Sequence, residues 1–122
     1  MRIVGVIPAW NEGTRVAAVI ADAKQFMDHV VVVDDCSSDE TSLIAKSAGA
    51  IVLRHVINRG QGAALQTGTD YAVNMLLADV VVHFDADGQM RGDEIPMMVA
   101  PIAAGEADVV LGSRFLGKHA LN

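Results

Sequence analysis

The sequence predicts an α/β fold, a mostly parallel sheet with helices on both faces. Short β-branched apolar runs recur along the chain, segments with helical apolar spacing fall between them, and no repeat or linker interrupts the alternation. The 122 residues suit one domain spanning 1–122.

Residues 3–7 form a short apolar run closed by Pro8, which reads as a buried strand ending in a turn. From Thr14, a candidate N-cap, Val16, Val19, Ile20, Ala23 and Met27 recur at three- and four-residue steps and predict an amphipathic helix. Residues 30–33 give a second strand. Ser37-Ser38-Asp39 then offers a cap for a helix carrying Leu43, Ile44 and Ala48, with Gly49 suited to the left-handed residue that ends it. Residues 50–53 make a third strand. After the turn Asn58-Arg59-Gly60-Gln61-Gly62, a helix with Ala64, Leu65, Gly68, Ala72 and Met75 leads to a fourth strand over 80–85. The last cycle is a helix over 93–104 and a strand over 109–112, with Pro96 tolerated in the helix's first turn and Pro101 expected to kink or split it.

At 52% hydrophobic and 20% charged residues, the chain lies far from the composition of disordered segments. Nine Lys and Arg against fifteen Asp and Glu leave a net charge of −6, so there is no basic field to gather nucleic acid or an anionic membrane. Phosphate can still bind locally through backbone N–H groups, one Arg or a bridging metal. Cys36 is the sole cysteine, which suits a reducing, cytoplasmic setting, and no apolar run approaches the roughly 20 residues of a membrane-spanning helix.

In parallel α/β sheets ligands bind beyond the carboxyl ends of the strands, which directs attention to residues 8–12, 34–38, 58–62, 85–89 and 113–114. Asp85-Ala86-Asp87-Gly88-Gln89 follows a strand, so alternation would place Asp85, Asp87 and Gln89 on one side as oxygen ligands for Mg²⁺ or Mn²⁺; the plainer reading is a strand end and a turn. Of the adjacent Asp34 and Asp35, one can face a cleft and accept hydrogen bonds from a base or ribose. The loop at 58–62 is either a phosphate cradle or a tight turn that lets the next helix pack closely. Arg114 is either a candidate diphosphate partner or a surface residue, and Trp10 either offers a ring to stack on a base or is simply partly buried. His29, His55, His83 and His119 show no ligand spacing and receive no chemistry.

Read in order, Ile7-Pro8-Ala9-Trp10-Asn11-Glu12, Val33-Asp34-Asp35-Cys36-Ser37-Ser38-Asp39-Glu40-Thr41, Asn58-Arg59-Gly60-Gln61-Gly62-Ala63-Ala64, Asp85-Ala86-Asp87-Gly88-Gln89 and Gly112-Ser113-Arg114-Phe115 resemble a family-2 glycosyltransferase. Within that family they look most like the dolichyl-phosphate mannose synthase and polyprenyl-phosphate glycosyltransferase branch. The resemblance implies a GT-A fold with a Rossmann-like half that binds a nucleoside-diphosphate sugar, GDP- or UDP-linked, with a divalent metal. By position, Pro8, Trp10 and Glu12 would contact the nucleoside, Val33 and Asp35 the base, and Asp85, Ala86 and Asp87 the ribose and metal. Asp85, Asp87 and Gln89 would hold Mg²⁺ or Mn²⁺, Asp87 would act catalytically through the metal, and Arg114 would meet the donor phosphates. The implied reaction is an inverting displacement at the sugar C1. A polyprenyl-phosphate acceptor at a membrane is already anionic and needs no general base, and none is identified.

Trp10 replaces the family's usual Tyr or Phe, Cys36 stands where Gly or Asn is common, and Met90-Arg91-Gly92 replaces a usual His-Asp-Pro. Family members run longer, so the resemblance implies the donor-binding N-terminal part of a longer enzyme, peripheral at the cytoplasmic face of a membrane. An unfinished sheet edge would favour a homo-oligomer. Three other readings compete: a catalytically incomplete nucleotide-sugar-binding fragment, a haloacid-dehalogenase-type phosphatase with Asp85 as nucleophile, and a response-regulator receiver built on Asp34, Asp35, Asp85 and Ser113.

Overall fold

The computed structural model describes residues 1–88, 91–103 and 109–111. Five strands, β1 (Ile3–Ala9), β2 (His29–Asp34), β3 (Ile51–Arg54), β4 (Val80–His83) and β5 (Val109–Leu111), form one parallel sheet in the order β3-β2-β1-β4-β5. The helices are α1 (Val16–Lys24), α2 (Thr41–Ser47), α3 (Gln61–Asn74) and α4 (Ile95–Ala103), the last preceded by a 3₁₀ turn at Gly92–Glu94. A receiver domain has the order 2-1-3-4-5, so that reading is excluded by the topology.

The apolar runs are nearly continuous because both sheet faces are covered. Ile7, Ala9, Val32, Val82 and Phe84 pack with Val16, Ile20, Ala45 and Ile95 on the face that carries α1, α2 and α4. Val4, Val6, Val31, Val33 and Val81 pack with Ala64 and Ala72 of α3 on the other. Phe84 is 1% exposed and anchors the chain where it leaves β4, so truncating it to alanine costs about 3–5 kcal/mol.

The chain moves outward from β1 to β2 and β3, then returns across the sheet through α3 to β4. The reversal leaves a crevice between the carboxyl ends of β1 and β4, the place where such sheets bind ligands. Pro8, expected to close the first strand, instead lies within β1, paired in register with Val33. Its position explains why a proline is tolerated in the central strand. The even-numbered residues of β1 turn their backbone toward β4, as shown by the bond from Phe84 N–H to Val6 O at 2.9 Å. The β1–β4 pairing ends at Val6 opposite His83, so the N–H that Pro8 lacks would face the crevice rather than a partner strand.

Other expectations need correction. Helix α1 starts at Val16 with Arg15 at its N-cap and no side-chain cap; Glu12 O takes the N–H groups of Arg15 and Val16 instead, so Thr14 caps nothing. Leu43 is exposed rather than packed. The fourth strand stops at His83, so Asp85 lies beyond it. Pro101 does not split α4, which continues to Ala103; a single missing N–H near a helix end is absorbed there. Gly49 does adopt the left-handed conformation, with φ of +96°.

Candidate functional site

A cleft of about 350 Å³ opens at the β1–β4 crevice, lined by Pro8, Ala9, Trp10, Glu12, Asp35, Gln61, Ala64, Asp85, Ala86 and Asp87. Beside it, Trp10, Asp35 and Gln61 also line a second hollow with Cys36, Ser38, Asn58 and Gly60. Four carboxylates thus border the first cleft and no basic side chain lines it among the described residues. Arg15 stands at its edge, 3.8 Å from Glu12 Oε2, and donates to the backbone oxygen of Asp87 at 3.3 Å. It links the loop after β1 to the turn after β4, a role its sequence position does not advertise.

Asp85 and Asp87 share the cleft wall, although not by strand alternation. Beyond β4 the chain makes a turn through Ala86 and Asp87, with Gly88 left-handed at φ of +83°. Burial pushes the Asp85 carboxyl above the ordinary carboxylate range, and the neighbouring Asp87 charge adds to the effect. Two like charges held together in a half-buried wall are stabilised by a cation between or beside them. Mg²⁺ and Mn²⁺ are commonly held by one or two carboxylates plus substrate phosphates, so this donor pair fits such an ion. Among the described residues no group of three or more His, Cys, Asp or Glu side chains forms a closed metal site. Gln89 and Arg114, expected as a metal ligand and a phosphate partner, lie outside the described residues.

The adjacent Asp34 and Asp35 divide as the sequence requires, one buried away from the cleft and one on its wall. Asp34 is fully buried, bonded to the Ser42 hydroxyl, to Ser37 N–H at 2.9 Å and to Arg54 Nη1 at 2.7 Å. It fastens β2, β3 and the start of α2. Asp35 lines the cleft and receives His55 Nδ1 and Arg59 N–H on Oδ1, both at 2.8 Å, and Gly60 N–H on Oδ2 at 2.7 Å. Burial favours its protonated form, but the donors from Arg59, His55 and Gly60 outweigh that and hold its pKa below the ordinary range. Val33 lies buried in the α3-side core, supporting this end of β2 rather than facing the cleft.

The loop at 58–62 therefore cradles a carboxylate of the protein itself. A Cβ at Gly60 or Gly62 would meet nothing within 4 Å, so close packing does not explain those glycines. Gly60 is required for its left-handed φ of +95°. The close approach of helix and sheet occurs at Gly68, where a Cβ would lie 2.3 Å from Val6 Cγ1. The Ser37-Ser38-Asp39 segment behaves similarly. Asp39 takes Thr41 N–H at 3.0 Å and Gly13 N–H at 3.0 Å, while Ser37 Oγ accepts Asn11 N–H at 2.8 Å and Asn11 Oδ1 accepts Ser38 N–H at 2.8 Å. These bonds lock together the loops after β1 and β2. Trp10 projects from that locked pair, 56% exposed, and Cys36 holds a left-handed φ of +66°.

His55 is the residue sequence reasoning missed. It is 7% exposed, bonded to Asp35 and, through Nε2, to Thr67 Oγ1 at 2.8 Å. A signal was present: it immediately follows β3, at the carboxyl end of the strand, but the strand was expected one residue earlier. His83 bonds Thr69 at 3.0 Å, and burial lowers its pKa, so it is neutral at physiological pH.

Fold and cleft together define a parallel α/β protein with an acidic crevice at the point where strand order reverses. Residues 6–121 match glycosyl transferase family 2, and the chain belongs to that family, with the GT-A fold of its structural relatives. It is 39% identical over 117 residues to an uncharacterised protein of Methanocaldococcus jannaschii, covering 95% of this chain and 48% of that protein. It is 33% identical over 127 residues to the UDP-N-acetylglucosamine–dolichyl-phosphate N-acetylglucosaminyltransferase of Methanococcus voltae, covering 89% and 50%. Among solved structures it resembles the glucosyl-3-phosphoglycerate synthase of Mycobacterium tuberculosis in complex with Mn²⁺, UDP-glucose and phosphoglyceric acid. The TM-score is 0.71 at 28% identity, over 86% of this chain and 40% of that one. The chain spans about half the length of the curated relatives it matches. Family membership removes the phosphatase reading of Asp85. No helix among the described residues is long and apolar enough to cross a membrane.

Proposed function

We propose that residues 1–122 form the donor-binding part of a metal-dependent, inverting glycosyltransferase that moves a sugar from a nucleoside diphosphate to a polyprenyl phosphate. The observation that carries this reading is the four-carboxylate cleft at the strand-order reversal, a wall that repels a diphosphate unless a divalent cation bridges the two. In this reading Asp85 and Asp87 hold Mg²⁺ or Mn²⁺ with Gln89, and Arg114 meets the phosphates. The bound ion supplies neutralisation of the charge that develops on the departing diphosphate. Pro8, Trp10 and Glu12 border the nucleoside, Trp10 offering its exposed ring to the base, while Asp35 accepts a hydrogen bond from the base and Asp85, Ala86 and Asp87 border the ribose. The relative from Methanococcus voltae is named for a dolichyl-phosphate acceptor, and the structural relative was crystallised with Mn²⁺ and UDP-glucose. An acceptor phosphate oxygen is nucleophilic as it stands, so no base is needed.

The test is transfer of radiolabelled sugar from UDP- or GDP-linked donors, with Mn²⁺, into an organic-extractable polyprenyl phosphate, with the anomeric configuration read by NMR. An inverted glycosyl phosphate is expected. A retained configuration, or transfer undiminished in Asp87→Ala, overturns the mechanism. Nucleotide binding without transfer favours the second reading, a nucleotide-sugar-binding portion that is catalytically incomplete, which the half-length coverage of the relatives supports.

A further inference from the structure

The bonding of Asp35 bears on which nucleotide the cleft takes. An ionised carboxylate has about four lone-pair positions, two on each oxygen. Oδ1 already receives two donors, His55 Nδ1–H and the Arg59 amide, both at 2.8 Å, and Oδ2 receives the Gly60 amide at 2.7 Å. One position remains, on Oδ2, and Asp35 lines both hollows of the site. Guanine presents two adjacent donors, N1–H and N2–H, which a carboxylate satisfies by accepting one on each oxygen. Uracil presents a single donor, N3–H, between two carbonyls.

We infer that His55, with the loop amides of residues 59 and 60, restricts Asp35 to a single-donor base and makes the donor a uridine rather than a guanosine nucleotide. This rests on the proposed donor site and deepens it. His55 acts as a positioning residue. The ionised carboxylate only accepts, so Nδ1 carries a ring proton, and the bond between Nε2 and the Thr67 hydroxyl on α3 sets the ring's orientation. Asp35 is thereby gripped from β3, from the 58–62 loop and, through the ring, from α3. In guanine the second donor meets a saturated Oδ1, and a buried donor left without a partner weakens binding.

The experiment is calorimetric titration of UDP and GDP, each with Mn²⁺, against the wild type, His55→Ala and His55→Asn. Asparagine keeps an N–H donor at the position of Nδ1, whereas alanine removes it. The wild type is expected to bind UDP at least about tenfold more tightly than GDP, about 1.4 kcal/mol. His55→Ala should narrow that ratio and His55→Asn should restore it, at melting temperatures that show all three folded. GDP bound as tightly as UDP by the wild type overturns the inference while leaving the donor site intact. Equal weakening of both nucleotides in His55→Ala, with the ratio unchanged, reduces His55 to a structural role. Binding of neither nucleotide to the folded wild type refutes the donor site itself.

Discussion

Helix α3 carries two glycines that the structure treats in opposite ways, and alanine at each should change stability with opposite sign. A Cβ on Gly68 would lie 2.3 Å from Val6 Cγ1 and 3.0 Å from Val33 Cγ2. Both valines are fully buried on neighbouring strands, and their branched side chains have little rotamer freedom with which to retreat. The helix must lift, and an approach this close falls in the upper part of the overpacking range, about 2–3 kcal/mol, against which alanine's helix preference returns about 1 kcal/mol. A net loss of about 1–2 kcal/mol is expected. At Gly62 a Cβ meets nothing, so only the helix preference remains, a gain of about 0.5–1 kcal/mol. For a domain of this size 1 kcal/mol moves the melting temperature by about 4 °C. Thermal unfolding followed by circular dichroism should show Gly68→Ala about 4–8 °C below the wild type and Gly62→Ala about 2–4 °C above it. Lifting α3 also displaces Ala64 from the cleft wall and Thr67 from His55, so Gly68→Ala should bind nucleotide less tightly. A Gly68→Ala protein as stable as Gly62→Ala would refute the packing argument.

Asp85→Asn removes one of two facing charges, so without metal it should melt higher by about 0.5–1.5 kcal/mol equivalent while Mn²⁺-dependent nucleotide affinity falls at least about tenfold; a lower melting temperature would contradict the reading of that pair. Cys36→Gly relieves a left-handed φ costing about 1–2 kcal/mol and adds about 0.5–1 kcal/mol of unfolded-state entropy, for a net gain of about 0.5–1 kcal/mol, measurable by urea unfolding. Asp35 has a lowered folded pKa, so its stabilising contribution is present above the ordinary carboxylate value of 3.8 and is lost as pH falls through the folded value. The difference in melting temperature between wild type and Asp35→Asn should hold constant above about pH 5 and close only below about pH 4, and a gap that closes near neutrality would count against the bonding described. Trp10 is the sole tryptophan and borders both hollows, so its emission should change on nucleotide binding and report that event alone.

The alternation of elements was legible because both sheet faces are buried, which makes each strand an uninterrupted apolar run and each helix an amphipathic one. The end of each strand was less legible. Pro8 reads as a strand terminator, and only the shortness of β4 makes a proline acceptable in the central strand. Asp85 reads as a strand residue, yet the strand has already ended, and it shares a wall with Asp87 through the turn at Ala86 and Asp87. The acid pair after β2 was legible as one inward and one cleft-facing carboxylate, because strand geometry alone separates neighbours. Which donors each carboxylate holds was not, since Arg54, His55 and the amides at 59 and 60 reach them only through the fold. For His55 the sequence offered only its place after the third strand; its role comes from a partner twenty residues away in sequence, which ligand spacing does not reveal.

In the proposed reading the acidic cleft becomes a nucleotide site when a divalent cation joins it. Calorimetric titration of UDP into the chain, with and without Mn²⁺, for the wild type and Asp87→Ala, tests it most directly. Binding that depends on Mn²⁺ is expected in the wild type, and its loss in a variant that remains folded. Binding equally tight without metal, or unchanged in Asp87→Ala, would contradict it.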